Sequence, residues 1–206
     1  IRGKDIEKWF VEISDRYVIL PVDSQGNIIN HSEMKVRYPN AYNYFYTFFN
    51  DLINRGGEPY KSKLEPYRKY PLERAERIAP PFYWVFNVKP SLAPYKVVWK
   101  RIAGAITGKA VSFACAVVEL VTNEFLGTKP VIPDDGTILI GFDNPDEAYY
   151  VAGVLNSSLA RAVIASYTYE LRQETHIADI IKIPKYDPRN EVHRSIATLS
   201  RRAHEL

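Results

Sequence analysis

The feature that most constrains the fold is a change of hydrophobic period along the chain. Residues 82–88, 95–102, 110–121 and 137–142 are short runs rich in Val, Ile or aromatic side chains, the composition of β-strands. From Asp146 the spacing becomes helical, with Ala148, Val151, Ala152 and Leu155 on one face, and residues 159–167 continue it. A last helix is expected from about Asn190, with Val192, Ile196, Leu199 and Ala203 as its packed stripe and Arg194, Arg201 and Arg202 outside. Pro39 opens an earlier helix whose stripe is Ala41, Phe45, Phe48 and Leu52, widened by Tyr42, Phe49 and Ile53, and Gly56-Gly57 ends it. Strands and helices that are partly segregated predict an α+β fold, a mixed and mainly antiparallel sheet with flanking helices and a C-terminal helix.

Three further stretches complete the pattern. Residues 1–37 read as strand-rich, with Ser24-Gln-Gly-Asn as a turn. Residues 58–81 hold Pro59, Pro66, Pro71, Pro80 and Pro81 and read as a long irregular connection. Residues 180–184 read as a short apolar strand. A length of 206 residues fits one domain, and 46% hydrophobic with 25% charged residues is a globular balance. The 17 residues from Asn190 are too few for a sustained heptad repeat, so a monomer is expected. A lone Cys115 excludes an internal disulfide and predicts a reducing, cytoplasmic setting, and no run of 18 apolar residues suggests a membrane partner. The chain begins at Ile1 rather than Met, which predicts a piece of a larger polypeptide whose other part holds the catalysis.

Charge then narrows the function. Residues 77–118 form a window of 42 residues without one Asp or Glu, although the chain has 24 acids in 206 residues. The window carries Arg77, Lys89, Lys96, Lys100, Arg101 and Lys109, with Phe82, Tyr83, Trp84, Phe86, Tyr95, Trp99 and Phe113 among them. Cations and rings without acids describe a surface suited to a polyanion. The net charge is only +3, so acids must gather elsewhere, as they do at Glu119, Glu124, Asp134, Asp135, Asp143, Asp146 and Glu147. The segment Tyr60-Lys-Ser-Lys-Leu-Glu-Pro-Tyr-Arg-Lys-Tyr70 alternates basic and aromatic residues in the same spirit.

Motifs for chemistry are weak. Gly104-Ala-Ile-Thr-Gly-Lys109 has three residues between its glycines and Ala110 after the lysine, so it reads as a hairpin and not a phosphate loop. Ala79-Pro-Pro-Phe82 resembles the Asn-Pro-Pro-Phe/Tyr element of amino-methyltransferases, but Ala79 offers no acceptor for a target amino group. Asp143-Asn-Pro-Asp-Glu147 reads as a helix start with acids at the positive end of the dipole, and not as a two-metal site. His31, His176, His193 and His204 lack metal-ligand spacing. No catalytic residue, metal ligand or cofactor site is assigned.

Four motifs in order carry a family resemblance over nearly the whole chain. Arg2-Gly-Lys-Asp-Ile6 resembles the segment that joins an adenine-methyltransferase domain to its specificity domain, and Tyr95-Lys-Val-Val-Trp-Lys-Arg101 is similar to the central strand of such specificity domains. Tyr149-Tyr-Val-Ala-Gly-Val-Leu-Asn-Ser157 resembles their Leu-Asn-Ser helix, and Ile180-Ile-Lys-Ile-Pro-Lys-Tyr-Asp-Pro188 their closing Ile-Pro strand. The resemblance implies a target recognition domain of a restriction-modification N6-adenine DNA methyltransferase, like the TaqI-type C-terminal specificity domain. It implies double-stranded DNA and a covalently linked methyltransferase domain as partners. S-adenosylmethionine is then expected in that other domain and no cofactor in this one.

Candidate DNA-binding residues are Arg2, Lys4, Tyr60, Lys61, Lys63, Tyr67, Arg68, Lys69, Tyr83, Trp84, Lys96, Lys100 and Arg101, with Arg2, Lys4 and Asp5 at the domain junction. An RNA or single-stranded nucleic-acid binding domain is the alternative, since basic-aromatic segments also stack unpaired bases. A protein-interaction domain using the Tyr-rich helix is a third.

Overall fold

The chain folds as α+β, and its strands pair antiparallel throughout the described residues. The structure is a computed structural model describing residues 1–101, 113–167 and 177–206. The chain opens with a 3-10 turn at Gly3–Asp5 and two short strands, β1 (Ile6–Glu7) and β2 (Phe10–Val11). Six helices follow: α1 (His31–Arg37), α2 (Pro39–Thr47), α3 (Phe49–Ile53), α4 (Tyr60–Lys63), α5 (Glu65–Lys69) and α6 (Leu72–Ile78). Then come β3 (Tyr95–Lys100), β4 (Cys115–Val118), β5 (Val121–Asn123), β6 (Gly127–Lys129) and β7 (Thr137–Phe142). The chain closes with α7 (Pro145–Leu155), α8 (Ser158–Tyr167), α9 (Ile177–Ile181) and α10 (Glu191–Glu205). Where the sequence reads as one domain, contacts gather into two compact units, Ile1–Arg16 with Pro90–Leu206, and Tyr17–Lys89.

The first unit is built on the sheet β4-β3-β7, with β3 central. One face of β3 places Val97 and Trp99 in the main core, with Cys115, Ile138, Ala148, Ala152 and Leu155. The other face places Val98 against Ile6 and Val118. Strand β4 is an edge, and side chains close it. Asn156 accepts from Cys115 N–H at 3.1 Å and donates to its carbonyl at 2.7 Å, as a neighbouring strand would. His204 Nε2 accepts from Val117 N–H at 2.9 Å, while its Nδ1 donates to the Ser200 carbonyl at 2.7 Å, which fixes the neutral tautomer. Helix α10 approaches α7 closely because Gly153 leaves room: a Cβ there would lie 2.6 Å from Ile196.

The second unit is helical, around an aromatic core. Phe82, fully buried, lies edge-on to Tyr42, Tyr46, Phe49, Tyr67 and Tyr83. Asn30 caps α1 through Glu33 N–H, and Gly57 beyond α3 takes a positive φ of 78°.

Several sequence expectations are corrected here. Residues 1–37 hold only two two-residue strands and one isolated bridge, and end in α1. Residues 82–88 form turns and no strand, because Phe82 and Tyr83 are core residues of the helical unit. The proline-punctuated connection is largely helical: Pro59 and Pro71 are N-caps of α4 and α6, and Pro66 sits in the first turn of α5. Proline tolerates those places because their N–H groups lack helical partners. The expected strand at 180–184 is the end of α9 followed by coil. Helix α10 begins where expected, but its phase differs. Ala197 and Ser200 are buried, while Val192 and Leu199 are each 63% exposed. The Gly104-to-Lys109 hairpin, the strand residues 110–112 and His176 lie outside the described residues.

Candidate nucleic-acid interface

The net charge is unevenly shared. Residues Tyr17–Lys89 contain ten Lys and Arg against seven Asp and Glu, whereas the other unit balances at seventeen against seventeen. The chain's whole excess of +3 therefore sits in the helical unit. Much of it is on α4 to α6, in Lys61, Lys63, Arg68, Lys69, Arg74 and Arg77, all exposed.

These cations differ in how they are held. Lys69 pairs with Glu65 at 2.8 Å, which raises the lysine pKa and lowers the carboxyl's. Arg68 turns its guanidinium back to the carbonyls of Ile53 and Lys61. Lys61 and Lys63 form no ion pair among the described residues. Arg74 lies over the Tyr70 ring at 4.1 Å, a contact that leaves its charge unneutralised.

Tyr60 and Trp84 are half-buried and edge-on to each other at 5.6 Å, with Phe86, 57% exposed, beside Trp84. Arg55 joins them: its guanidinium lies 4.3 Å over Tyr60 and donates to Trp84 O at 2.7 Å and Phe82 O at 3.3 Å. Burial draws its pKa below the ordinary arginine value, partly opposed by Tyr60. Sequence reasoning missed Arg55. Its only signal was an arginine between a helix end and Gly56-Gly57.

The remaining candidates fare unequally. Tyr67 and Tyr83 are corrected: both are buried, and their hydroxyls donate inward, to Pro80 O at 3.0 Å and Ile29 O at 3.1 Å. Rings so placed hold the core and present no face to a base. Lys96 is also corrected, for its side chain is fully buried and Nζ donates to the Ala93 carbonyl. Burial pulls its pKa down to about 8.

In the sheet unit Arg2 pairs with Asp5 at 3.3 Å, and Lys100 pairs with Glu7 at 3.1 Å. Arg101 reaches the Asp135 carbonyl at 3.4 Å, and Lys4 is exposed. Asp5 is buried; burial raises its pKa, but hydrogen bonds from Arg2 outweigh this and hold it below the carboxylate norm. The Arg2-Gly-Lys-Asp-Ile6 motif is thus knitted into the sheet unit. A Cβ on Gly3 would meet the Gly136 carbonyl at 2.7 Å, and Ile6 is fully buried.

Among the described residues no three His, Cys, Asp or Glu gather as a metal site, and no helix is long and apolar enough to cross a membrane. Comparison with family models, curated proteins and solved structures finds no match.

Proposed function

We propose that this chain is a sequence-specific double-stranded DNA recognition module of an adenine-specific DNA methyltransferase or restriction-modification enzyme. In this reading the helical unit supplies the phosphate-facing surface. Methyl transfer from S-adenosylmethionine belongs to a covalently linked methyltransferase domain. The observation that carries the reading is the confinement of the net positive charge to one unit, where Lys61 and Lys63 stand exposed and unpaired on α4. Cations without carboxylate partners exchange counterions for phosphates at little cost in broken contacts. The four motifs in family order add the choice of DNA and of adenine chemistry.

A second reading, a single-stranded nucleic-acid binder, draws on the exposed rings Tyr44, Tyr46 and Phe48, the first and last 5.3 Å apart. Such rings suit unpaired bases. Competition between a randomised duplex and a single-stranded RNA of equal length separates the two. Duplex DNA displacing RNA supports the module proposed, and RNA displacing duplex supports the second. Binding to neither, at low salt, contradicts both.

A further inference from the structure

We propose that the cleft beside α4 and α5, walled by Arg55, Lys61 and Arg68, is a seat for a phosphate group, supplied by the nucleic-acid backbone. The proposal rests on the DNA reading above for the source of the phosphate, but its chemistry stands on the cleft itself.

The cleft holds about 540 Å³, lies wholly within the helical unit and includes Glu58 and Glu65 in its lining. Its two guanidiniums are held by carbonyls, with the Tyr60 ring 4.3 Å from that of Arg55, and by no carboxylate among the described residues. Arg55 donates from Nε to Leu52 O at 2.9 Å and from Nη2 to Trp84 O, and Arg68 donates to the Ile53 and Lys61 carbonyls. Neither forms an ion pair among the described residues, and Arg55 Nη1 and Arg68 Nε find no acceptor there. A neutral carbonyl orients a guanidinium without neutralising it, so the positive charge stays available.

The two carboxylates of the lining are held differently, and only Glu65 is neutralised. Glu65 is held by Lys69 at 2.8 Å, and Glu58 accepts from Ser62 Oγ at 2.8 Å. Counting Arg55, Lys61 and Arg68 against Glu58 and Glu65, the wall is positive by one, and Lys69 cancels Glu65 from behind. An anion with several acceptor oxygens matches the donors that the carbonyls leave over, Arg55 Nη1 and Arg68 Nε, and one flexible ammonium. A phosphate has that form, and a carboxylate ligand would leave donors unsatisfied.

The test uses the full chain and two probes, inorganic pyrophosphate followed by phosphorus NMR and a duplex followed by fluorescence anisotropy. Arg68→Ala and Lys61→Gln are made separately, with thermal unfolding measured for each. If Arg68→Ala lowers the melting temperature, Lys61→Gln alone is read, since Lys61 is exposed and its ammonium holds nothing. The proposal expects each variant to weaken pyrophosphate binding at least fivefold and to reduce the DNA salt slope by roughly one phosphate contact, 0.9 for duplex DNA. Pyrophosphate binding that is absent, or equal in wild type and variants, overturns the seat. DNA binding with an unaltered slope in the variants overturns it too and leaves the DNA reading intact. Wild-type chain that binds pyrophosphate through these residues yet binds no duplex keeps the seat and sinks the DNA reading.

Discussion

The two units use polar residues in opposite ways. In the sheet unit, polar side chains are consumed in closing the fold: Asn156 and His204 seal the edge of β4, Asp5 holds Arg2, and Lys100 meets Glu7. In the helical unit the core is aromatic, and although Lys35, Arg37 and Lys69 pair with Glu76, Glu33 and Glu65, Lys61 and Lys63 on the proline-started α4 form no ion pair among the described residues. A charge already spent on structure is a poor candidate for a ligand. As a proposed interface, the helical unit with Lys61 and Lys63 is thus favoured over the motif residues Arg2 and Lys100, which are ion-paired.

Core substitutions should act on one unit at a time. Phe82→Ala removes the ring on which five neighbours converge and is expected to cost about 3–5 kcal/mol, the range for a large-to-small change in a tight core. Hydrogen exchange should show the loss at amides of Tyr17–Lys89; unaltered protection there would deny that Phe82 anchors this unit. In the sheet unit, Asn156→Ala strands the buried Cys115 N–H, while Trp9 N–H still reaches the Cys115 carbonyl at 3.2 Å. The expected cost is about 2 kcal/mol, read as a shift in urea midpoint. A neutral result would mean that the edge is not sealed by this residue.

Acid titrates both units through the buried His31 and the half-buried His204. Burial lowers the pKa of His31, with Glu76 opposing and Lys35 adding to the shift, and burial likewise lowers His204 against Ser200 and Glu119. The unfolded chain then binds protons at a pH where the fold does not, so stability falls as pH drops below the ordinary histidine value of 6.5. Urea midpoints at pH 7.5 and 5.5 check the sign, and His204→Gln should flatten the part belonging to the sheet unit. The smallest effect belongs to the outer face of α10. Leu199→Gln should change stability by no more than about 0.5 kcal/mol, as for a surface site, whereas the stripe read from the sequence would make it a core mutation.

That last contrast shows what periodicity can and cannot carry. Strands β3 and β7 were legible because Val97, Trp99, Ile138 and Ile140 alternate with residues of the other face, and β7 matches its expected bounds. Helix α10 was legible as a helix but not in phase. Its inner side brings Ile196 and Ser200 against Gly153 and buries Ala197, which leaves Val192 and Leu199 of the expected stripe outside. The three short helices between residues 60 and 78 were hidden because proline marks helix starts and loops alike. Of the candidate site, Lys61 and Lys63 were readable as basic positions in a segment that alternates cations and rings, but not as unpaired ones. The burial of Lys96, Tyr67 and Tyr83 was not, since it depends on packing between residues distant in sequence.

Phosphate binding is proposed to belong to the helical unit. Two triple variants of the full chain test it most directly: Lys61, Lys63 and Lys69 to Gln, and Lys4, Lys100 and Arg101 to Gln. The measurement is the slope of log affinity against log salt for one duplex. The helical-unit variant should lose roughly 0.9 of slope for each phosphate contact removed, and the sheet-unit variant should keep the wild-type slope. The reverse pattern, with the slope lost only when Lys4, Lys100 and Arg101 are neutralised, would contradict it.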